Sequence, residues 1–130
     1  MQPRRVLVID DEEDIRVIAT VLLEMGGDFE ILLAASGEEG IALAAREKPA
    51  GILLDYSMPG LDGAATLSRL REEPATRDTP IIFLTGKAHG ESRAGLDLLD
   101  VDGVIAKPVD PLSFANEVTA ILARGRKAAR

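Results

Sequence analysis

The chain has 130 residues, a formal net charge of -7, 46% hydrophobic and 28% charged residues, and neither Cys nor Trp. That is one domain with enough chain to bury a core, and a globular rather than disordered composition. The absence of Cys excludes disulfides and thiolate metal sites. The negative charge, with one Tyr and three Phe, argues against direct binding of nucleic acid, because phosphate neutralisation and base stacking both lack material. No apolar run approaches the ~20 residues of a membrane helix. No signal-peptide pattern precedes Arg4-Arg5, so a cytoplasmic location without membrane contact is expected.

Val6-Leu7-Val8-Ile9 reads as a first strand, followed at once by the acidic run Asp10-Asp11-Glu12-Glu13-Asp14. Ile15, Ile18, Val21, Leu22 and Met25 then recur at helical spacing, which predicts a first helix with that face in the core, stopped by Gly26-Gly27. Residues 29–34 form the second strand. Ser36-Gly37-Glu38-Glu39 has capping-box form and opens a helix that runs to about Lys48, where Pro49 bars continuation. The third strand, Ile52-Leu53-Leu54, ends in Asp55. The turn Tyr56-Ser57-Met58-Pro59-Gly60-Leu61 leads to Asp62, a good N-cap for a helix over 63–73. Ile81-Ile82-Phe83-Leu84 is the fourth strand and ends in Thr85-Gly86. Residues 90–99 predict only a short, mobile helix, since Gly90 and Gly95 each cost about 1 kcal/mol against Ala. Val104-Ile105-Ala106 is the fifth strand, ending in Lys107-Pro108. Asp110-Pro111 predicts an N-cap and first-turn proline for the last helix, whose apolar face is Phe114, Val118, Ile121 and Leu122.

Strands and helices alternate strictly, and the strands are apolar throughout rather than on one face. That pattern implies a parallel sheet covered on both sides. The predicted fold is α/β, a flavodoxin-like doubly wound sheet of five strands in the order 2-1-3-4-5 with five helices. In such folds ligands gather where strands end and strand order reverses. The strand ends here supply Asp10, Asp11, Asp55, Thr85 and Lys107. Three carboxylates on one rim repel when ionised, so the site calls for a cation. Oxygen-only ligands with open positions suit Mg²⁺, which keeps several waters and bridges carboxylate to phosphate. Lys107 and Thr85 are placed to hold phosphate oxygens. Asp55, in the middle, is the natural nucleophile, since carboxylates form aspartyl-phosphates.

With these residues in order, the chain resembles the receiver domain of bacterial two-component response regulators, from Arg4 to about Arg124. The resemblance rests on Asp10-Asp11, on Asp55-Tyr56-Ser57-Met58-Pro59-Gly60-Leu61-Asp62-Gly63, on Thr85-Gly86 and on Lys107-Pro108. Each motif alone is weak, and their order and strand-end placement make the match specific. Residues 1–124 would then be the receiver and 125–130 a basic tail. The resemblance implies that Asp55 accepts a phosphoryl group from a phosphohistidine on a sensor histidine kinase or histidine phosphotransfer protein. It implies Mg²⁺ bound by Asp11, Asp55 and the carbonyl of Ser57, with Asp10 acting largely through water. Lys107 would pair with the phosphoryl group, Thr85 would move towards it, and the bond to Pro108 would be cis. The domain would be a signalling switch rather than a metabolic enzyme. It would assist its own phosphorylation and dephosphorylation, address a downstream effector protein, and exist as a monomer or weak dimer.

One residue departs from the family pattern. A Tyr or Phe usually stands three residues before the lysine and swings inward on activation, whereas Val104 stands here. The segment 86–99 is the alternative expected exit for the signal. Glu12, Glu13 and Asp14 read as acids favoured at a helix N-terminus, and His89 as a solvated loop residue. An aspartyl-phosphate phosphatase of the haloacid dehalogenase type would carry its nucleophile on the first strand. A flavodoxin would need a phosphate loop where the acidic run lies. A non-phosphorylated pseudo-receiver is opposed by the intact acids, Thr85 and Lys107.

Overall fold

The computed structural model describes residues 4–86 and 100–125. Five parallel strands form one sheet in the order β2-β1-β3-β4-β5: β1 (Arg4–Ile9), β2 (Phe29–Ala34), β3 (Gly51–Asp55), β4 (Ile81–Gly86) and β5 (Gly103–Lys107). The helices among the described residues are α1 (Glu13–Gly26), α2 (Gly37–Glu47), α3 (Gly63–Glu72) and α4 (Phe114–Arg124). This is the expected doubly wound architecture with four described helices in place of five. The predicted short helix over 90–99, His89 and all of the proposed signal segment except Gly86 lie outside the described residues, as does the tail beyond Gly125. No helix among the described residues is long and apolar enough to cross a membrane.

The alternation of side chains along a strand accounts for two core layers. Val6 and Val8 of β1 point into a cluster with Ala19 and Leu23 of α1 and with Phe114, Val118 and Leu122 of α4. Leu7 and Ile9 point the other way, among Ala44 of α2, Leu67 and Leu70 of α3, Ile52, Leu54 and Phe83. Because β1, β3 and β4 are buried on both faces, their sequences show no polar alternation. The caps follow side-chain chemistry. Ser36 Oγ accepts from Glu39 N–H at 3.1 Å, and Glu39 Oε1 reaches back past the cap to accept from Ala35 N–H at 2.6 Å, a variant of the capping box. Asp62 Oδ1 accepts from Ala65 N–H at 2.9 Å and starts α3.

Two expectations need correction. In α1 the periodic apolar residues are not all core. Ala19 and Leu23 are buried, with Ile15 and Leu22 packed beside them, while Val17, Ile18 and Val21 are exposed and Met25 is 81% exposed. The small residues decide the rotation. A Cβ at Gly26 would lie 2.6 Å from Ala115 Cβ, so the Ala19–Leu23–Gly26 stripe lets α1 approach α4 closely, and the bulkier stripe faces out. At α4, Asp110 does not cap the helix directly. Its Oδ1 accepts from Leu112 N–H at 2.9 Å and its carbonyl from Ser113 and Phe114 N–H, forming a turn before the helix begins at Phe114.

At the edge of the sheet opposite the strand ends, Arg71 joins α3 to the starts of β4 and β5. Its guanidinium donates to the carbonyls of Thr79 (2.7 Å), Arg77 (3.0 Å) and Asp100 (3.1 Å), and pairs with Asp102 Oδ2 at 3.2 Å. Asp102 is fully buried and also accepts from Ile81 N–H at 2.9 Å. Removing one member of such a pair leaves a buried charge uncompensated. Arg71→Met is therefore expected to cost about 3 kcal/mol, the lower end for broken buried pairs, because Asp102 keeps the Ile81 N–H. Urea unfolding measures this; a loss below about 1 kcal/mol would show that Asp102 is satisfied without Arg71.

Candidate functional site

The carboxyl ends of β1, β3, β4 and β5 meet on one rim. Asp10 follows β1 directly. Its N–H bonds Ala34 O at 3.1 Å, which carries it one step past the strand before the chain turns into α1. Asp10 is fully buried, Asp11 is exposed, and Asp55, the last residue of β3, is 3% exposed. The loop after Asp55 is held tightly beneath it. Tyr56 N–H donates to Leu84 O at 2.9 Å, Gly63 N–H to Tyr56 O at 3.1 Å, and Met58 is buried in the core. A Cβ at Gly63 would stand 2.6 Å from Asp55 O and from Tyr56 Cα, so this close return of the chain needs glycine. Asp55 Oδ1 accepts from Ser57 N–H at 3.2 Å.

Lys107, at the end of β5, reaches across the rim. Its Nζ lies 2.9 Å from Asp10 Oδ2, 3.2 Å from Asp55 Oδ1 and 3.4 Å from Glu12 Oε1. The Asp10 contact is a close ion pair without hydrogen-bond alignment, so the buried Asp10 Oδ2 has no hydrogen-bond partner. Thr85 is half-buried and directly follows Leu84, the β4 residue in register with Asp55. The Lys107–Pro108 bond is cis. Val104 lies opposite Phe83 in the register of β4 and β5 and packs against the core. The ring beside Phe83 is that of Tyr56, edge-on with centroids 5.2 Å apart.

Ligand atoms of Asp10, Asp11 and Asp55 all lie within 4.8 Å of one another. Three hard oxygen donors at this spacing, one of them a buried oxygen with unused acceptor capacity, fit a small divalent cation such as Mg²⁺. The electrostatics agree. Burial first, and then the charge of Asp10, push the Asp55 carboxyl from 3.8 up to about 7, against the opposing pull of Lys107 and the Ser57 N–H. Burial draws the Lys107 ammonium down, but its pairs with Asp10 and Asp55 outweigh this and leave it raised.

Two contributors were not singled out from sequence. Glu12, a helix-terminal acid by its position, also touches Lys107. Arg16 Nη1 donates to Asp10 O at 2.6 Å. The available signal was that Arg16 is the one Lys or Arg between Arg5 and Arg46.

The raised affinity of Asp55 for a proton sets a pH dependence. Between about 3.8 and about 7 the native state holds a proton that the unfolded chain has released. The stability contributed by the neutral form is complete below the unfolded value and is lost as pH rises through about 7. Metal-free Asp55→Asn should thus be more stable than the unsubstituted protein at pH 8, with the gap closing towards pH 4. Urea titrations at the two pH values check this; a gap that widens on acidification would contradict the assignment.

A family model described as response regulator receiver domain matches residues 6–119. The phosphate regulon transcriptional regulatory protein PhoB of Pseudomonas aeruginosa is 36% identical over 125 residues, covering 95% of this chain and 54% of PhoB. The alkaline phosphatase synthesis transcriptional regulatory protein PhoP of Bacillus subtilis is 36% identical over 127 residues, covering 97% of this chain and 51% of PhoP. Among solved structures, the chemotaxis response regulator CheY4 of Vibrio cholerae superposes with a TM-score of 0.82 at 26% identity, over 92% of this chain and 99% of that one. The chain spans about half the length of the curated relatives it matches. With the family model covering most of its length and the fold agreeing, this chain belongs to the response regulator receiver domain family.

Proposed function

We propose that this domain is a phosphorylatable switch in which Asp55 accepts a phosphoryl group from a phosphohistidine of a sensor histidine kinase or histidine phosphotransfer protein. The observation that carries this reading is the placement of the Asp55 carboxylate. It stands at the end of β3, between the acids after β1 and the ammonium of Lys107. A carboxylate oxygen of Asp55 attacks phosphorus in line with the leaving imidazole. The new P–O bond forms as the P–N bond breaks, and the imidazole leaves with a proton from solvent. Mg²⁺, when bound by Asp11, Asp55 and the Ser57 carbonyl with Asp10 nearby, supplies positive charge that offsets the clustered carboxylates and the incoming phosphoryl oxygens. Lys107, already at the rim, exchanges its carboxylate partners for a phosphoryl oxygen, a charge-assisted contact. Thr85 supplies a hydroxyl at the same edge. The domain assists attack and later hydrolysis by holding these groups, and its output is an altered surface for a downstream effector protein, the domain itself being a monomer or weak dimer. The names of the curated relatives, transcriptional regulatory proteins about twice this length, support an effector that acts in gene regulation.

Two outcomes are expected. Acetyl phosphate with Mg²⁺ should add one phosphoryl group by intact-mass analysis, and Asp55→Asn should gain none; labelling that survives in Asp55→Asn would move the acceptor elsewhere. Mg²⁺ should raise the thermal midpoint of the unphosphorylated protein, since a ligand specific to the native state contributes about 2.7 kcal/mol at 100 times its Kd. Asp11→Asn should abolish that rise, and a midpoint indifferent to millimolar Mg²⁺ in the unsubstituted protein would remove the cation from the reading.

A further inference from the structure

We propose that Arg16 is a positioning residue for the acid pair: by clamping the carbonyl of Asp10 it sets the direction of the Asp11 carboxylate and so the affinity of the site for a divalent cation. The role rests on the reading of Asp10, Asp11 and Asp55 as a Mg²⁺ site.

The argument begins where β1 stops. Asp10 has left the sheet after its N–H bond to Ala34 O, and α1 begins at Glu13. The intervening residues must turn the chain without ladder hydrogen bonds. A buried carbonyl there needs a partner, and the Arg16 guanidinium supplies it at 2.6 Å from one turn into α1. Asp10 is thereby held at four atoms. Its N–H is bound to Ala34, its carbonyl to Arg16, Oδ1 to Glu12 N–H at 2.9 Å, and Oδ2 to the Lys107 ammonium at 2.9 Å.

Asp11 is in a different position. It is exposed, and among the described residues its side chain makes no hydrogen bond or ion pair, so only its backbone aims it. The Asp10 carbonyl belongs to the planar peptide unit joining Asp10 to Asp11. Fixing that oxygen fixes the rotation of the plane and with it the direction in which Asp11 leaves the chain. Arg16 itself is half-buried and forms no ion pair with a carboxylate among the described residues. Its charge is spent on this one neutral oxygen.

A purely electrostatic role predicts the opposite sign. Removing a cation from beside three acids makes the rim more negative and should tighten cation binding. Removing a clamp loosens Asp11 and should weaken it. Groups that orient metal ligands typically account for 10–100-fold in affinity.

The test is Mg²⁺ titration of the full chain by amide NMR, comparing the unsubstituted protein with Arg16→Met and Arg16→Lys. Arg16→Met is expected to bind Mg²⁺ at least tenfold more weakly, with metal-free shift changes centred on residues 10–12, and Arg16→Lys, which keeps a donor of nearly equal reach, to recover part of the loss. Should Arg16→Met fail to fold, Arg16→Lys alone must still bind more weakly than the unsubstituted protein. Equal or tighter binding in the substituted proteins would overturn the positioning role while leaving the site intact. No Mg²⁺ response in the unsubstituted protein would overturn the metal-site reading and this role together.

Discussion

Two carboxylates, Asp10 and Asp55, are taken out of water side by side and joined by one ammonium, that of Lys107, at 2.9 and 3.2 Å. Burying an ionised carboxylate costs several kcal/mol unless it is paired and hydrogen-bonded. One cation shared between two acids compensates only part of that cost. The remainder appears as the raised proton affinity of Asp55. The resting site is thus short of positive charge. A group that brings cationic charge, or that gives Lys107 a different anion, relieves a strain already present in the fold.

The sheet makes this arrangement reachable. Parallel strands put their carboxyl ends on the same rim, so residues far apart in sequence, such as Asp10 and Lys107, arrive within contact distance without a dedicated loop. The opposite edge is tied by Arg71 and Asp102, which hold α3 and the lead-ins of β4 and β5 together. Glycines then set close approaches that larger residues would block, as Gly63 does beneath Asp55 and Gly26 does against α4.

The rings near the site lie just after β3 and on β4 rather than on β5. Val104, on β5, is packed into the core opposite Phe83. Tyr56, adjacent to Asp55, lies edge-on against that same Phe83. A β-branched residue held in a sheet has no rotamer that reaches the rim as a ring does. Any structural change passed from the Asp55 rim through β5 must therefore use backbone or neighbouring side chains.

The sequence by itself determined the strand order class and the strand-end residues. Unbroken apolar runs such as Val6 to Ile9 and Ile81 to Leu84 suit only strands buried on both faces, and a charged residue directly after such a run has one place to go. Capping chemistry was equally legible, because Ser36 with Glu39 and Asp62 with Ala65 act within four residues. What acts across the fold was not. The inward face of α1 depended on how closely Gly26 and Ala19 let α4 approach, and period alone offers two stripes with nothing to choose between them. Arg71 found its carbonyls on segments six to twenty-nine residues away. Nothing local marks Glu12 or Arg16: β5 brings Lys107 to the one, and the turn after β1 brings a buried carbonyl to the other. Local sequence dictates which elements form and what ends them; packing decides which side chains share a charge, because that depends on distances no spacing along the chain encodes.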